Sequence, residues 1–183
     1  MKEDVRPLFI FPPIDWWRQV LGKSEAEVSA AAPFQKGSLY NRYRIAAANG
    51  PLWLTVPLQG GRLQKVPVKD LTISYAERWQ HRHEQTLISA YGRAPYFEAL
   101  WFLVEPLFQK RYELLADFNL QALAALSRAL QLRIHWHLTD LPASACSASP
   151  EPFPAYRQVF ESRHGFQPGL SILDLLFSQG RFI

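Results

Sequence analysis

The chain has 183 residues, of which 48% are hydrophobic and 14% aromatic, which suffices for one ordinary core and not for two independent ones. Its formal net charge of +4 is too small to indicate a general nucleic-acid-binding protein. The one cysteine, Cys146, lies in a Pro/Ser/Ala-rich stretch, 141–154, and excludes a disulfide within the chain. We therefore expect a single domain over residues 1–183, with 141–154 as a flexible segment.

The sequence does not indicate membrane insertion or secretion. The longest apolar run, 99–108, contains Glu105 and Pro106 and is much shorter than the roughly 20 apolar residues that cross a bilayer. The first residues carry acidic side chains, and no apolar segment of signal-peptide length precedes Pro12. We therefore expect a cytoplasmic protein without a membrane span.

Short elements are predicted for the first part of the chain. Residues 8–11 have the composition of a strand, and 14–21 that of a short helix. Ser24 and Glu27 have the spacing of a helix capping box, so local rules favour a helix over 24–32. The chain is thus predicted to open with a strand, a turn and a helix.

A β-hairpin is predicted next. Residues 40–48 and 52–58 are rich in strand-forming side chains and flank Asn49 and Gly50, a pair that accommodates the positive φ angles of a tight turn. After a polar loop, residues 66–74 again have strand-like composition. Two antiparallel strands and one further strand are therefore expected here.

Helices dominate the second half of the prediction. They are expected over 76–91, 95–110, 119–132, 156–160 and 170–177. Pro106 lacks a backbone N–H and is expected to kink or divide the second of these helices.

A late strand completes the pattern. Over 133–139 apolar side chains alternate with His135 and His137, the period of two that a half-buried strand requires. Early strands, central helices and one late strand indicate an α/β or α+β fold, with helices packed on a mixed sheet. A Rossmann-like sheet is one arrangement that the sequence leaves open.

Basic side chains are concentrated in the N-terminal half, since residues 1–93 include thirteen basic and eight acidic residues. Six of them surround the predicted hairpin: Lys36, Arg42, Arg44, Arg62, Lys65 and Lys69. Arg42 and Arg44 lie two residues apart on a predicted strand, so they share one face and could bind phosphate oxygens together. An anion site and an ordinary solvated basic surface both remain open.

His83 is the best general-base candidate. It lies four residues from both Trp79 and Leu87, on the apolar face of the predicted helix, and free histidine titrates near neutral pH. A buried histidine with a structural role is the alternative. His81 points to another side of the helix, so the two rings cannot bind one metal.

Other common chemistries lack sequence support. His135 and His137 share a strand face, but no carboxylate or cysteine stands at ligand spacing, so we expect no metal. The chain has no P-loop, no G-x-G-x-x-G and no G-x-S-x-G motif, and we expect no cofactor. Cys146 lies in an irregular segment, unsuited to act as a nucleophile with His164.

Four segments of the chain together resemble the WbqC-like protein family. They are residues 11–14, 34–57, 79–97 and 166–180. The most specific strings are Asn41 to Ile45 (NRYRI), His83 to Tyr91 with Ala94 to Phe97 (APYF), and Leu170 to Phe177 (LSILDLLF).

The resemblance implies a role in the synthesis of O-antigen and related surface polysaccharides. Transfer of an amino-acyl group such as glycine to a sugar has been suggested for the family. The family pattern implies site residues at Lys36, Asn41, Arg42, His83, Tyr91 and Asp174. It also places a strand near Val28, against the local helix prediction, while Ser178 stands where the family commonly has asparagine.

These observations give a leading hypothesis and two rivals. A group transferase would hold an anionic donor or sugar nucleotide with Arg42 and either Lys36 or Arg44, and use His83 as base. A non-catalytic sugar-nucleotide- or partner-binding protein would offer Trp16, Trp17 and Tyr91 as a stacking surface. In a third interpretation Asn41, His83 and Asp174 are structural. The sequence does not indicate the oligomeric state.

Overall fold

The computed structural model describes residues 5–61, 65–144 and 153–182. Its strands are β1 (Arg6–Pro7), β2 (Glu25–Ser29), β3 (Arg42–Ile45), β4 (Leu52–Thr55) and β5 (His135–Thr139). Three of them form a parallel sheet in the order β1-β2-β5. Because these strands run the same way, their carboxyl ends meet at one edge of the sheet.

The central strand corrects a local prediction. Residues 24–32 were expected to be helical from the capping-box spacing, yet 25–29 form β2, paired with both neighbours of the sheet. Ala26 and Val28 are buried on the sheet face. Pairing on both edges outweighs a local helix preference, and the strand that the resemblance placed near Val28 is confirmed.

The predicted hairpin is confirmed. Strands β3 and β4 pair antiparallel, with Arg44 opposite Trp53. Ala47 and Gly50 exchange two backbone hydrogen bonds of 3.1 and 3.0 Å, so the turn is centred on Ala48 and Asn49, and Gly50 follows with a φ of 107°. Only glycine adopts such a φ without strain.

The α/β class is confirmed, although the strands form two sheets instead of one mixed sheet. The hairpin is a separate two-stranded sheet. Residues 66–74, expected as a strand, contain a 3-10 helix at Val68–Asp70 and contact other segments only through isolated bridges, such as Leu58 with Ile73. Pro67 immediately before this turn cannot donate a ladder hydrogen bond.

The helices are α1 (Ile14–Arg18), α2 (Trp79–Tyr91), α3 (Phe97–Val104), α4 (Pro106–Gln109), α5 (Leu115–Ala129), α6 (Glu161–His164) and α7 (Ile172–Gln179). Pro106 divides α3 from α4 as expected. The helix expected over 156–160 is absent from that segment, because Tyr156 and Gln158 both turn into the interior, which an extended chain with a two-residue period allows. No helix in the described part of the chain is long and apolar enough to span a membrane.

An aromatic core fixes the hairpin on α2. Trp79, His83, Leu87 and Tyr91 recur at four-residue spacing and are all buried. The His83 ring packs edge-on against Tyr43 of β3, with centroids 5.6 Å apart. One face of β3 is therefore packed against α2, and its other face points away from the core.

The start of α7 is tied to the N-terminal segment. The Ser171 side chain accepts from the N–H of Leu173, as an N-cap, and its hydroxyl donates to the carbonyl of Phe11 over 2.9 Å. The N–H of Ile172 donates to the carbonyl of Pro12, and the N–H of Ser171 to that of Arg44. Three of the segments that carry the resemblance therefore meet at this point.

Candidate functional site

A cavity lies where the strands of the parallel sheet end, and we call it the strand-end crevice. Its volume is about 660 Å³. Its lining includes Phe9, Ala31 and Asp140, which follow β1, β2 and β5 respectively, and the loop residues 37–40. Open α/β sheets bind their ligands in the crevice outside the carboxyl ends of the strands. The position of this cavity therefore makes it the leading candidate site.

The crevice combines apolar walls with a few polar groups. Phe9 and Tyr40 pack edge to face, with ring centroids 5.0 Å apart. The buried hydroxyl of Ser38 makes no hydrogen bond to the described residues. The Lys69 ammonium lies 2.6 Å from Asp140 Oδ1, and this hydrogen bond raises the pKa of Lys69.

Beside the crevice lies a smaller recess on the outer face of the hairpin, formed by Arg42, Arg44 and Trp53, which we call the arginine alcove. The Cζ atoms of Arg42 and Arg44 lie 4.1 and 5.8 Å from the centroid of the Trp53 ring. Trp53 is 41% exposed. The three side chains form a cation–π cluster on adjacent strands.

Both alcove arginines retain free hydrogen-bonding capacity. The Nε atoms of Arg42 and Arg44 are buried without a hydrogen-bond partner among the described residues, and neither side chain forms an ion pair there. An unpaired buried donor is costly unless a ligand satisfies it. The alcove therefore holds two cations without a counter-charge among the described residues, around a cavity of about 20 Å³.

The alcove and the crevice are neighbours. Leu39 lines both cavities. Gly37 lines the crevice with a φ of +85°, and a Cβ placed on it would lie 3.6 Å from Arg42 Nη2. Arg42 therefore stands at the junction between the alcove and the crevice.

The C-terminal loop closes the other side of the alcove. The Arg44 Nη2 group donates to the carbonyl of Pro168. Gly169 has a φ of +69°, and a Cβ there would lie 3.3 Å from Arg44 Nη2. Arg44 is thus engaged by the loop, whereas Arg42 is the more available cation.

Backbone strain is also found at this place. Phe11 lines the alcove and has a positive φ of 39°. Such an angle is unusual for a residue that is not glycine and that is followed by proline, here Pro12. Residues before proline normally adopt extended conformations. Strained conformations of this kind cost about 1–3 kcal/mol and concentrate at functional sites.

His83 lies in the core instead of in either cavity. Its Nδ1 is 3.1 Å from the Tyr43 hydroxyl and its Nε2 is 3.2 Å from the Thr55 carbonyl. Because a carbonyl only accepts, Nε2 carries the proton and Nδ1 accepts from Tyr43. Burial lowers the pKa of His83 to about 4. Both ring nitrogens are therefore occupied, and the arrangement gives no support to the predicted base role.

Tyr91 and Asp174 belong to a buried network. The Tyr91 hydroxyl donates to Asp174 Oδ1 over 3.0 Å and accepts from the N–H of Ala46. Tyr156 donates to Asp174 Oδ2 over 2.6 Å. Burial raises the pKa of Asp174, and the two hydroxyls act in the opposite direction. The network joins α2, the hairpin and α7.

Other predicted residues lie apart from the cavities. The buried side chain of Asn41 donates to the carbonyl of Val56 over 2.9 Å and closes the base of the hairpin. Lys36 and Lys65 are exposed and line neither the crevice nor the alcove. Arg62 and Cys146 lie outside the described residues.

The predicted stacking surface is wrong. Trp16, Trp17 and Tyr91 are all buried, because they pack inside the core and none presents a ring face to solvent. His135 and His137 are exposed on β5. Within the described ranges no three His, Cys, Asp or Glu side chains group as a metal site.

Sequence reasoning missed several lining residues. Gly37, Ser38 and Asp140 reach the crevice from separate loops, so their proximity depends on the sheet topology. Trp53 reaches Arg42 and Arg44 only because of the hairpin register. A turn centred on Asn49 and Gly50 would have paired the strands differently.

The fold and the cavities define an α/β protein with a crevice at the carboxyl edge of a parallel sheet. The model of the WbqC-like protein family matches residues 9–149, and the chain belongs to this family. That range contains three of the four segments that carry the resemblance, and 166–180 lies beyond it. A search of the curated proteins and a search of the solved structures find no match.

Proposed function

We propose that this protein is a group transferase of surface-polysaccharide biosynthesis that binds a phosphate-bearing donor, with Arg42 as the principal phosphate ligand. The observation that carries the proposal is the position of Arg42. Its guanidinium has no carboxylate partner among the described residues and lies at the junction of the alcove and the strand-end crevice.

The lining of the two cavities suits a nucleotide-linked donor. Phe9, Ala31 and Tyr40 provide apolar walls for a base. A guanidinium binds phosphate oxygens in a bidentate manner, and that of Arg42 lies beside Gly37, which lines the crevice. A nucleoside diphosphate would place its base in the crevice and its phosphates beside Arg42.

Group transfer also needs a proton acceptor. When an amine or hydroxyl of the acceptor attacks an acyl carbon, such as that of an activated glycine, it must lose a proton. Among the described residues that line the crevice, Asp140 is the carboxylate, and its Oδ1 lies 2.6 Å from the Lys69 ammonium. In this proposal the bond from the acyl carbon to the phosphate oxygen of the donor breaks as the new bond to the acceptor forms. The phosphate leaves beside Arg42, Asp140 takes the proton of the acceptor, and His83 stabilises the hairpin.

A second candidate function is non-catalytic binding of a sugar nucleotide in the same pathway. The burial of His83 favours it, because this predicted general base has neither ring nitrogen available. Such a protein needs Arg42 and the crevice but no base. The two candidates therefore differ in their dependence on Asp140.

A thermal-shift screen tests the shared part of both candidates. Wild-type protein is measured with nucleotide sugars, acyl-nucleotides and simple phosphates, since a ligand that binds the native state raises its apparent stability. We expect one ligand class to raise the melting temperature of wild type and not of Arg42→Ala. Arg93→Ala removes an exposed arginine outside both cavities and should respond like wild type.

A transfer assay with the ligand from that screen then separates the candidates. Transferase activity should fall at least tenfold in Asp140→Asn at saturating donor, with binding retained. His83→Gln should retain turnover wherever it remains folded. If no transfer occurs with any acceptor while binding depends on Arg42, the non-catalytic function is correct. Loss of turnover in folded His83→Gln would restore the histidine as base.

A further inference from the structure

A third cavity, separate from the donor site, lies between the hairpin turn and α2. Its volume is about 760 Å³, within the range of roughly 300–1,000 Å³ of small-ligand sites. Turn residues 47–52 form one wall, the exposed side of α2 forms the other, and Phe160 adds an aromatic ring. We call this cavity the turn groove.

Unengaged polar side chains enter the groove from both walls. His81, Gln85 and Ser89 follow one another at four-residue spacing and form a row along α2, in which only His81 has a side-chain neighbour of opposite charge, Glu84 at 3.8 Å. The side chains of Gln85 and Ser89 are exposed and make no hydrogen bond to the described protein. Asn49 lies on the opposite wall, and its side chain is likewise exposed and makes no hydrogen bond to the described protein. These groups offer donors and acceptors to a ligand.

The charge of the lining argues for an uncharged ligand. Among the described residues that line the groove, none is a carboxylate. Its one arginine, Arg82, is paired with Glu77. A strongly anionic ligand would find no free guanidinium, and a cationic ligand would find no counter-charge.

The groove also contains apolar surface. Leu52 is 40% exposed there, beside Pro51 and Phe160. A ligand that fits both features needs hydroxyl groups at its edges and C–H groups on its faces, which is the chemistry of a sugar ring. A purely apolar ligand would leave Asn49 and Gln85 unpaired.

A peptide fits the groove less well. One common mode of binding an extended peptide adds it as a strand to a free sheet edge. In the turn, Ala47 and Gly50 already bond each other, and the carbonyl of Ala48 accepts from Arg163 and His164. The turn wall therefore offers no strand edge.

We propose that the turn groove binds a short uncharged saccharide chain through Asn49, Gln85 and Ser89. The inference goes beyond the donor site and does not depend on it. The probes are neutral di- and trisaccharides of glucose, galactose, mannose, rhamnose and N-acetylhexosamines. We expect at least one probe to shift the side-chain amide NMR signals of Asn49 and Gln85, assigned with Asn49→Asp and Gln85→Glu.

Matched variants locate the binding. Gln85→Ala should weaken saccharide affinity about fivefold or more, the loss expected for one hydrogen bond. Gln121→Ala removes an exposed amide from α5, outside the groove, and should leave the affinity unchanged. Arg42→Ala should bind the saccharide like wild type, which separates this result from the outcome of the donor test.

Three results would overturn the inference. The first is that no probe shifts the two amide signals. The second is that affinity is equal in wild type and Gln85→Ala, or is lost in Arg42→Ala. The third is that a Gly/Ser octapeptide shifts the signals and no saccharide does, which would assign the groove to peptides.

Discussion

The two faces of strand β3 have opposite characters. Its inner face presents Tyr43, which bonds His83 within an aromatic core where the polar atoms of both side chains are paired. Its outer face presents Arg42 and Arg44, whose Nε atoms have no partner in the described residues. One strand thus has paired polar atoms on one side and unpaired guanidinium donors on the other. Substitutions on the two faces should therefore have separable effects.

The largest expected loss of stability belongs to the buried network behind the hairpin. Asp174→Ala leaves the Tyr91 and Tyr156 hydroxyls without their acceptor, and each buried unpaired group costs about 1–3 kcal/mol. We expect the free energy of unfolding to fall by about 4 kcal/mol in urea denaturation. Asp117→Ala, in the exposed first turn of α5, removes only a favourable interaction with the helix dipole and should change it by less than about 1 kcal/mol. Equal effects of the two substitutions would contradict the structural role of Asp174.

His83, which packs against the inner face of β3, should make the free energy of unfolding depend on pH. Burial lowers the pKa of His83 from 6.5 to about 4, so between these values the unfolded chain binds a proton that the folded protein does not. Stability therefore rises with pH through this window and is lost on acidification. The expected contribution is about 3 kcal/mol between pH 6.5 and 4.

The comparison of wild type with His83→Gln isolates this effect. Asp174, whose raised pKa acts in the opposite sense above the pKa of a free carboxyl, is present in both proteins and cancels. The difference in unfolding free energy, wild type minus variant, should grow by about 3 kcal/mol from pH 4 to pH 6.5. Parallel stability profiles would show that His83 titrates normally and is not buried as described.

A smaller loss is expected at the contact between the hairpin and α2. Tyr43→Phe removes the hydroxyl that donates to His83 Nδ1 and leaves this buried nitrogen unpaired, at a cost of about 1–2 kcal/mol. Tyr96→Phe, at an exposed tyrosine, serves as control and should be close to neutral. A stability of Tyr43→Phe equal to that of the control would show that the hydrogen bond contributes nothing.

Sequence alone predicted the features that depend on local spacing. The alternation of β3 placed Arg42 and Arg44 on one face, and the four-residue spacing of α2 placed His83 on its apolar side. The paired Gly50 and Asn49 located the hairpin. These features follow from the periods of two residues in a strand and 3.6 residues in a helix, which can be recognised in the sequence itself.

Features that depend on pairing between distant segments were not predictable in this way. The predicted turn on Asn49 and Gly50 was wrong by one residue. The turn centres on Ala48 and Asn49, and only this register places Trp53 opposite Arg44. Local rules predicted a helix where β2 lies, since its strand partners lie elsewhere in the chain, and only the family resemblance indicated a strand there. Asp140 enters the site only through the order of the parallel strands.

The central claim is that Arg42 binds a phosphate-bearing ligand while contributing little to stability. Its most direct test is an equilibrium titration of wild type, Arg42→Ala and Arg93→Ala with the nucleotide that most stabilises the wild-type protein. We predict that Arg42→Ala loses at least tenfold in affinity, that Arg93→Ala retains it, and that all three unfold at similar temperatures without ligand. Equal affinity of wild type and Arg42→Ala, or no binding of any nucleotide to wild type, would contradict the account.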